Sequence, residues 1–214
     1  AVLSWIFSQL LTPHGQIANF CSARMMPELV TEFSKYFENR FTEVWLKPSA
    51  MVLHKDRPRP DIEFICVFHR KRTPKKYRTY NWEEVAIKGE PFLRKNQNLD
   101  HTNITTSKRE IDENESGLRH PSSVVRFPNR PAMKGKEARS ARHPTQKSLE
   151  HMKRLIKILS NPGETVLDPF MGSGTATLAA IITGREAIGF EIESQYFEMA
   201  QERIALNTAQ RILL

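Results

Sequence analysis

The feature that most constrains the fold is the stretch from 165 to 206, where two apolar segments alternate with two helical patterns. "TVLD" is a short apolar segment, "PFMGSG" is a glycine-containing turn, and Thr175 to Thr183 has helical spacing. "AIGFE" and "SQYFEMAQERIAL" repeat the order of strand and helix, and Gly184 is predicted to end the first helix. Because strand–helix–strand connections this short join parallel, adjacent strands, the sequence predicts an α/β fold.

The glycine-containing turn is a candidate ligand site. Gly172 and Gly174 follow the first strand directly, at the edge where α/β folds bind nucleotide-like ligands. Neither has a Cβ, so the backbone is predicted to approach a ligand closely. A Walker phosphate loop is excluded because no Gly-Lys-Ser/Thr follows, and Thr177 replaces the third glycine of the dinucleotide fingerprint. Nothing in this turn requires a diphosphate.

Two acids flank the turn, one at the end of each predicted strand. Asp168 closes the first strand and Glu191 closes the second. An acid at the second position accepts hydrogen bonds from ribose hydroxyls, whereas an acid at the first suits an amine or a cation. A ligand with ribose, amine and positive charge but no phosphate indicates S-adenosylmethionine. The alternative interpretation is a structural turn with surface acids.

Positive charge is concentrated in the middle of this 214-residue chain. Residues 55–142 contain 21 basic and 12 acidic residues, whereas the segments on either side are close to neutral. Within the basic segment 55–142, residues 73–141 are polar and weakly periodic. This stretch is too long for an ordinary connection in a compact domain. This distribution predicts a surface that binds a polyanion, and the alternative is a solvated basic face.

The rest of the composition indicates a globular protein from a reducing compartment. Cys21 and Cys66 lie in apolar runs, which predicts buried thiols and excludes a disulfide framework or a zinc site. No apolar run approaches the roughly 20 residues that a membrane-spanning helix needs, so no membrane partner is expected. We also expect no bound metal.

Helices and strands are predicted on both sides of the basic segment. Residues 1–11 have the character of a helix end, and the spacing of apolar residues predicts a helix over 26–41 that includes Tyr36 and Phe37. "QIANFCSA", "TEVWLKP" and "DIEFICVFHRK" are predicted strands. Ser148 to Leu159 is predicted to form an amphipathic helix.

Three motifs in this order carry a family resemblance. "HPTQK" (143–147), "VLDPFMGSGT" (166–175) and "GFEIE" (189–193) resemble those of the S-adenosylmethionine-dependent DNA amino-methyltransferases, which methylate N6 of adenine or N4 of cytosine. The order resembles the β arrangement of that family, in which the catalytic half precedes the target-recognition region and the cofactor half. The resemblance implies a permuted Rossmann-like sheet with helices on both faces, plus an irregular basic insertion. It divides the chain into the C-terminal part of the catalytic half (1–72), the recognition region (73–142) and the cofactor half (143–214).

The resemblance also implies the residues of two binding sites. Glu191 would bind the ribose hydroxyls of the cofactor, and the 145–147 loop would close around its methionine end. The cofactor pocket as a whole would comprise Asp168, Phe170, Gly172, Ser173, Gly174, Thr175, Glu191, Thr145, Gln146 and Lys147. Phosphate contacts to DNA would come from Arg70, Lys71, Arg72, Lys75, Lys76 and Arg78. Two departures from the family motifs, Ser148 and Ala176, are not expected to abolish cofactor binding.

A third departure is larger. The catalytic motif of the family, Asp/Ser-Pro-Pro-Tyr, does not occur in these 214 residues. In the family its strand lies at the centre of the sheet, between the strand of Asp168 and "QIANFCS", and its aromatic ring stacks on the flipped base. We therefore expect a chain truncated at its N-terminus that lacks catalytic residues and is impaired on its own.

The resemblance implies binding partners for the chain, and two alternative functions stay open. It implies S-adenosylmethionine and double-stranded DNA as ligands, a homodimer or a cognate restriction enzyme as protein partner, and a cytoplasmic location in a bacterial or phage setting. Adenine is favoured over cytosine as the target. The alternatives are a non-catalytic DNA-binding remnant or accessory subunit that needs another chain, and a methyltransferase of RNA or a small molecule that shares the cofactor half.

Overall fold

A computed structural model of the chain contains two compact units. The first comprises Ala1–Asn81 and Ser122–Leu214, and the second comprises Trp82–Pro121. The structure describes residues 2–48, 55–56, 58–90, 92–93, 113–114, 116–128 and 145–212.

Strands and helices alternate along most of the first unit. In chain order, the strands of both units are β1 (Gln16–Cys21), β2 (Phe37–Leu46), β3 (Ile62–Arg70), β4 (Ile87–Lys88), β5 (Phe92–Leu93), β6 (Glu113–Asn114), β7 (Leu118–Arg119), β8 (Val124–Arg126), β9 (Thr165–Asp168) and β10 (Glu186–Gly189). The helices are α1 (Val2–Leu10), α2 (Met26–Phe33), α3 (Leu149–Leu159), α4 (Thr175–Ile182) and α5 (Ser194–Ile212). Within the described ranges, no helix is both long enough and apolar enough to cross a membrane.

The larger sheet of the first unit has the strand order β1-β3-β2-β8. β3 pairs antiparallel with both β1 and β2, and β8 pairs parallel with β2. β3 is buried on both faces: Cys66 and Phe68 belong to one core cluster, while Ile65 and Val67 belong to another. An apolar run without polar alternation is typical of a strand covered on both sides, as "FICVF" is here.

The predicted helix over 26–41 is wrong in its second half. α2 ends at Phe33, and β2 begins at Phe37. Phe37 is fully buried against Phe33 and Phe68. A buried phenylalanine at this position fits the apolar spacing of a helix and that of a strand equally well. Pairing of β2 with nine residues of β3 decides the conformation, because sheet contacts outweigh local helix propensity.

The smaller sheet consists of β9 and β10, which are parallel and adjacent as predicted. α3 connects the two sheets through neighbouring residues: Leu155 packs in the core of the larger sheet, and Ile156 packs with Ala179 and Ala180 of α4. Among the described strands, no hydrogen-bonded ladder joins β9 or β10 to the larger sheet. The α/β class is confirmed, with the described strands of the first unit divided between two sheets.

The second unit is small and contains short strand pairs. β4 pairs antiparallel with β7, and β5 pairs antiparallel with β6. The rings of Trp82 and His120 are stacked with centroids 3.8 Å apart. The predicted recognition region over 73–142 stays a prediction, and its parts 94–112 and 129–142 lie outside the described residues.

The two cysteines are buried free thiols, as predicted. Cys21 on β1 and Cys66 on β3 have their sulfur atoms 3.9 Å apart. Burial, and then the neighbouring Cys66, raises the pKa of the Cys21 thiol to about 12. Because the thiolate is the reactive form, Cys21 is an inert core residue.

Candidate functional site

The register of β9 and β10 brings the two predicted acids to one edge of the smaller sheet. Gly189 lies opposite Asp168 in the parallel pair. The chains stay paired past the end of the strands, because the Phe190 N–H donates to the Asp168 carbonyl at 3.0 Å and the Met171 N–H donates to the Phe190 carbonyl at 2.9 Å. Glu191, which follows β10 in sequence, therefore lies beside the turn that begins after Asp168.

Asp168 is a carboxyl in an environment that disfavours its charge. Burial raises its pKa above the ordinary value, the Phe170 N–H opposes this effect with a hydrogen bond, and the charge of Glu191 raises the pKa further. The distance from Phe170 N to Asp168 Oδ1 is 3.1 Å. A cation or a hydrogen-bond donor placed at this carboxyl would relieve the unfavourable burial of its charge, which is the property of a binding group.

Glu191 fixes the shape of the turn. Its Oε2 accepts a hydrogen bond from the Gly172 N–H at 2.9 Å. Its Oε1 accepts from the N–H groups of Ile192 and Glu193 at 2.9 and 3.0 Å. These bonds hold the Glu191 carboxylate beside the backbone of the glycine turn. The predicted role of Glu191 at a ribose stays a prediction.

Gly174 is the residue on which α4 begins, and two features require a glycine there. Its φ is +69°, in the left-handed region that residues with a Cβ rarely adopt. A Cβ at this position would also lie 2.9 Å from the Cβ of Ala200 on α5. The turn, α4 and α5 are therefore packed at backbone distance, which fixes where the first N–H groups of α4 lie.

Ser173 and Thr175, two predicted pocket residues, are buried and tie the turn to α5. Arg203 donates to the Ser173 carbonyl at 3.1 Å and to the Thr175 Oγ1 at 2.9 Å. The two hydroxyl groups lie 3.4 Å apart. Arg203 was not identified from the sequence, where one arginine in a polar helix gives no signal of this contact.

Three exposed apolar residues follow the strand ends beside the acids. Phe170, a predicted pocket residue, is 68% exposed, and Phe190 and Ile192 are 60% and 93% exposed. Single exposed apolar residues are ordinary, but these three follow the ends of two adjacent strands. The edge therefore combines two carboxyls with apolar surface that a flat, uncharged ring could cover.

The loop before α3 contains the other predicted cofactor residues. Thr145 is exposed, Gln146 is nine-tenths buried, and Lys147 contacts the larger sheet. Lys147 Nζ lies 2.5 Å from Glu63 Oε1, 4.8 Å from the ring centroid of Phe20 and 5.2 Å from that of Trp45. His143 and Pro144 of the same motif lie outside the described residues.

His151 on α3 is a buried polar residue that is not among the sequence-predicted site residues. Its ring is stacked on Phe127 with centroids 4.7 Å apart, and neither ring nitrogen has a hydrogen-bond partner in the part of the chain that the structure describes. Burial, and then the charges of Arg154 and Lys147, lowers its pKa to about 3. Its spacing from Leu155 and Ile158 gave a signal, because all three lie on one face of a helix.

The predicted phosphate-binding residues differ in their surroundings. The Arg70 guanidinium donates to the carbonyls of Ser8, Leu11 and Thr12, so it caps the C-terminal end of α1. Arg78 is partly exposed and donates to the Thr73 carbonyl at 2.8 Å. The remaining four, Lys71, Arg72, Lys75 and Lys76, are exposed in the turn after β3 and the 3-10 turn Lys75–Tyr77.

An aromatic pair lies beside one of these cations, Lys76. The rings of His14 and Tyr77 are stacked with centroids 4.4 Å apart, and Lys76 Nζ lies 4.7 Å from the centroid of the Tyr77 ring. An exposed cation beside a stacked pair is compatible with contact to a polyanion.

Comparison with known proteins gives matches to DNA methyltransferases. DNA adenine methyltransferase YhdJ of Escherichia coli (strain K12) is 52% identical over 62 residues, which are 29% of this chain and 21% of that protein. Type II methyltransferase M.MthZI of Methanothermobacter thermautotrophicus is 29% identical over 160 residues, 74% of this chain and 37% of that protein. In each alignment the chain spans less than half the length of the relative.

Solved structures of DNA methyltransferases are similar to this chain in fold. The crystal structure of the M1.HpyAVI-SAM complex has a TM-score of 0.63 and 28% identity, covering 94% of this chain and 80% of that chain. PvuII DNA methyltransferase (cytosine-N4-specific) has a TM-score of 0.64 at 16% identity, covering 93% and 69%, and supports the fold alone. The profile of the N6_N4_Mtase family, described as DNA methylase, matches residues 4–202. This protein belongs to that family.

Proposed function

We propose that the chain is part of an S-adenosylmethionine-dependent DNA methyltransferase that acts on an exocyclic base amine, N6 of adenine in preference to N4 of cytosine. The observation that carries the proposal is the pair of carboxyls, Asp168 and Glu191, beside one glycine turn in a chain of the DNA methylase family. A relative named as a DNA adenine methyltransferase supports adenine as the target.

The residues at this edge fit the chemistry of S-adenosylmethionine. The buried Asp168 carboxyl would gain from a cationic or amine-bearing ligand, and the Glu191 carboxylate would accept hydrogen bonds from the hydroxyl groups of a ribose. Phe170, Phe190 and Ile192 would cover an adenine ring. When bound, the cofactor supplies a methyl group on a sulfonium. The protein's own contribution is to bind and orient the ligand, which is the main source of rate in a direct transfer.

Double-stranded DNA is the proposed substrate partner. Lys71, Arg72, Lys75 and Lys76 are exposed and would contact phosphates, whereas Arg70 is occupied as a helix cap. When several phosphate contacts set the affinity for DNA, the logarithm of the affinity falls linearly with the logarithm of the salt concentration. Each phosphate contact adds about 0.9 to the magnitude of that slope. Replacing Lys75 and Lys76 by Gln should lower that slope by about two, whereas Lys153→Gln on α3 should leave it unchanged. An unchanged slope in the double variant would contradict the assignment.

The 214 residues alone are proposed to be impaired in catalysis. They contain no Asp/Ser-Pro-Pro-Tyr, and among the described strands the smaller sheet is not hydrogen-bonded to the larger one. A segment with that motif would supply the missing base-binding group. The alternative function, a DNA-binding remnant or accessory subunit that works with another chain, is favoured by the same observation. A homodimer or a cognate restriction enzyme would be further partners.

One assay tests this function and its alternative. The chain is incubated with isotopically labelled S-adenosylmethionine and unmethylated duplex DNA, and the product nucleosides are separated by mass spectrometry. We expect little or no product from the chain alone, and N6-methyladenine when the chain is extended with an upstream segment that carries the motif. Efficient methylation by the 214 residues would refute the impairment, and no product from the extended chain would favour the accessory subunit.

A further inference from the structure

Lys147 is held in an unusually well-defined position for a lysine at the protein surface. Its Nζ donates to Glu63 Oε1 at 2.5 Å, and the side chains of the two residues are 24% and 18% exposed. Lysine loses considerable rotamer freedom when it is fixed, and the attraction within a partly buried ion pair must also offset the desolvation of both charges. Stability alone therefore gives a weak reason for this arrangement.

Aromatic rings limit where the ammonium group can move. The centroids of Phe20 and Trp45 lie 4.8 and 5.2 Å from Lys147 Nζ, within the range of cation–π attraction. Trp45 is 1% exposed, and its Nε1 donates to the Phe127 carbonyl at 2.9 Å. Because these rings are fixed by the core of the larger sheet, they form a rigid wall behind Lys147.

Glu63 lies between two lysines. Its Oε1 binds Lys147, and its Oε2 lies 3.6 Å from Lys47 Nζ, with the Lys47 side chain 19% exposed. One carboxylate neutralises one of the two ammonium groups, so the cluster of Lys47, Glu63 and Lys147 keeps a net positive charge. An ammonium has three N–H donors, and in the described part of the chain Glu63 is its one hydrogen-bond acceptor.

The residue before Lys147 has unused hydrogen-bonding capacity as well. Gln146 is 9% exposed, and among the described residues neither its amide oxygen nor its amide nitrogen has a hydrogen-bond partner. A buried amide without partners costs about 1–3 kcal/mol, which a polar ligand group would recover. The loop thus contains a buried amide and a fixed ammonium in consecutive positions, a combination that suits a carboxylate.

We propose that Glu63 is a positioning residue that holds Lys147, against the wall of Phe20 and Trp45, for the carboxylate of the bound cofactor. This inference rests on the proposed function, in which S-adenosylmethionine is the ligand. Glu63 acts through Lys147 and does not itself contact the ligand. The larger sheet thereby contributes to cofactor binding from β3, far in sequence from the glycine turn.

Binding of two ligands separates positioning from a structural role. S-adenosylmethionine and its decarboxylated analogue are titrated into the wild-type chain, Glu63→Gln, Lys147→Met and the double variant. For S-adenosylmethionine we expect affinity losses of about tenfold in Lys147→Met and severalfold in Glu63→Gln, since a charge-assisted hydrogen bond is involved. The double variant should be no weaker than Lys147→Met, and the analogue should bind all four proteins alike. Glu150→Gln removes a comparable partner from Lys153 on α3 (2.7 Å) and is the matched control.

A measurement without cofactor keeps the inference separate from the proposed function. Lysine side chains are acylated with a soluble reagent, and the extent of modification at each residue is quantified by mass spectrometry. The rate at Lys147 reports how freely its side chain moves. We expect Lys147 to react faster in Glu63→Gln than in wild type, with no change in Glu150→Gln. If wild type binds S-adenosylmethionine but Glu63→Gln changes neither ligand affinity nor Lys147 reactivity, the inference is overturned and the proposed function stands. If wild type binds no S-adenosylmethionine, the proposed function fails whatever the reactivity shows, and the inference fails with it.

Discussion

Gly174→Ala tests how the turn at the candidate site is built. The added methyl group meets two obstacles: φ at this position is +69°, and the new Cβ would lie 2.9 Å from the Cβ of Ala200. A left-handed conformation costs a residue with a Cβ about 1–2 kcal/mol, and overpacking of a tight contact costs about 1–3 kcal/mol more. The sum is about 3 kcal/mol of lost unfolding free energy.

Gly163→Ala is the matched control for this change. Gly163 has a φ of +83°, but no heavy atom of the described residues lies within 4 Å of a Cβ placed there. Its substitution should therefore cost the conformational part alone, about 1 kcal/mol. In a chain of this length about 1 kcal/mol lowers the melting temperature by about 2–4 °C, so Gly174→Ala should melt about 5 °C or more below Gly163→Ala.

Urea denaturation isolates the contact between the added methyl group at position 174 and the Cβ of Ala200. The proteins compared are the single variants and the double variant Gly174→Ala/Ala200→Gly. Removing the Cβ of Ala200 should recover part of the loss in the Gly174→Ala background, although Ala200→Gly alone destabilises α5 by about 1 kcal/mol. Equal losses for Gly174→Ala and Gly163→Ala, or full additivity with Ala200→Gly, would refute the close packing of the turn on α5.

Two further predictions follow from buried titratable groups. Because the folded-state pKa of Asp168 is raised, stability is lost as pH rises through the range between its unfolded and folded values, and the loss persists at neutral pH. Asp168→Asn should therefore raise the midpoint of urea denaturation at pH 7 while it weakens S-adenosylmethionine binding; a lower midpoint would contradict the cause given for the shift. The folded-state pKa of His151 is about 3, so stability should fall as pH drops from about 6.5 towards 3, by at most about 1.4 kcal/mol per pH unit. His151→Phe should flatten that dependence in urea denaturation at pH 5 and 7.5, and an unchanged slope would show that other groups cause it.

The strand–turn–helix order at the candidate site could be predicted from the sequence because its signals are local. A short apolar segment, glycines in the turn and helical spacing from Thr175 each depend on a few neighbouring residues. The parallel pairing of β9 and β10 then follows from the short connection. Asp168 and Glu191 reach the same edge for this reason.

The features that escaped prediction depend on contacts distant in sequence. Phe37 is extended because of its pairing with β3, Arg70 caps α1 from the end of β3, and Arg203 ties the turn to α5. Glu63 reaches Lys147 across 84 positions of the chain. An isolated charged residue gives no indication of its partner, so a sequence identifies candidate groups better than it identifies which of them are already occupied.

The most direct test of the central claim is the equilibrium binding of S-adenosylmethionine by calorimetry to wild type, Asp168→Ala and Glu191→Ala, well below their melting temperatures. We expect binding by wild type and a loss of about tenfold or more in each variant, since each removes a hydrogen-bonding carboxyl from the proposed cofactor site. Glu186→Ala, which removes an exposed acid from the opposite end of β10, should bind as wild type does. Unchanged affinity in both Asp168→Ala and Glu191→Ala would contradict the assignment of the cofactor site to this edge.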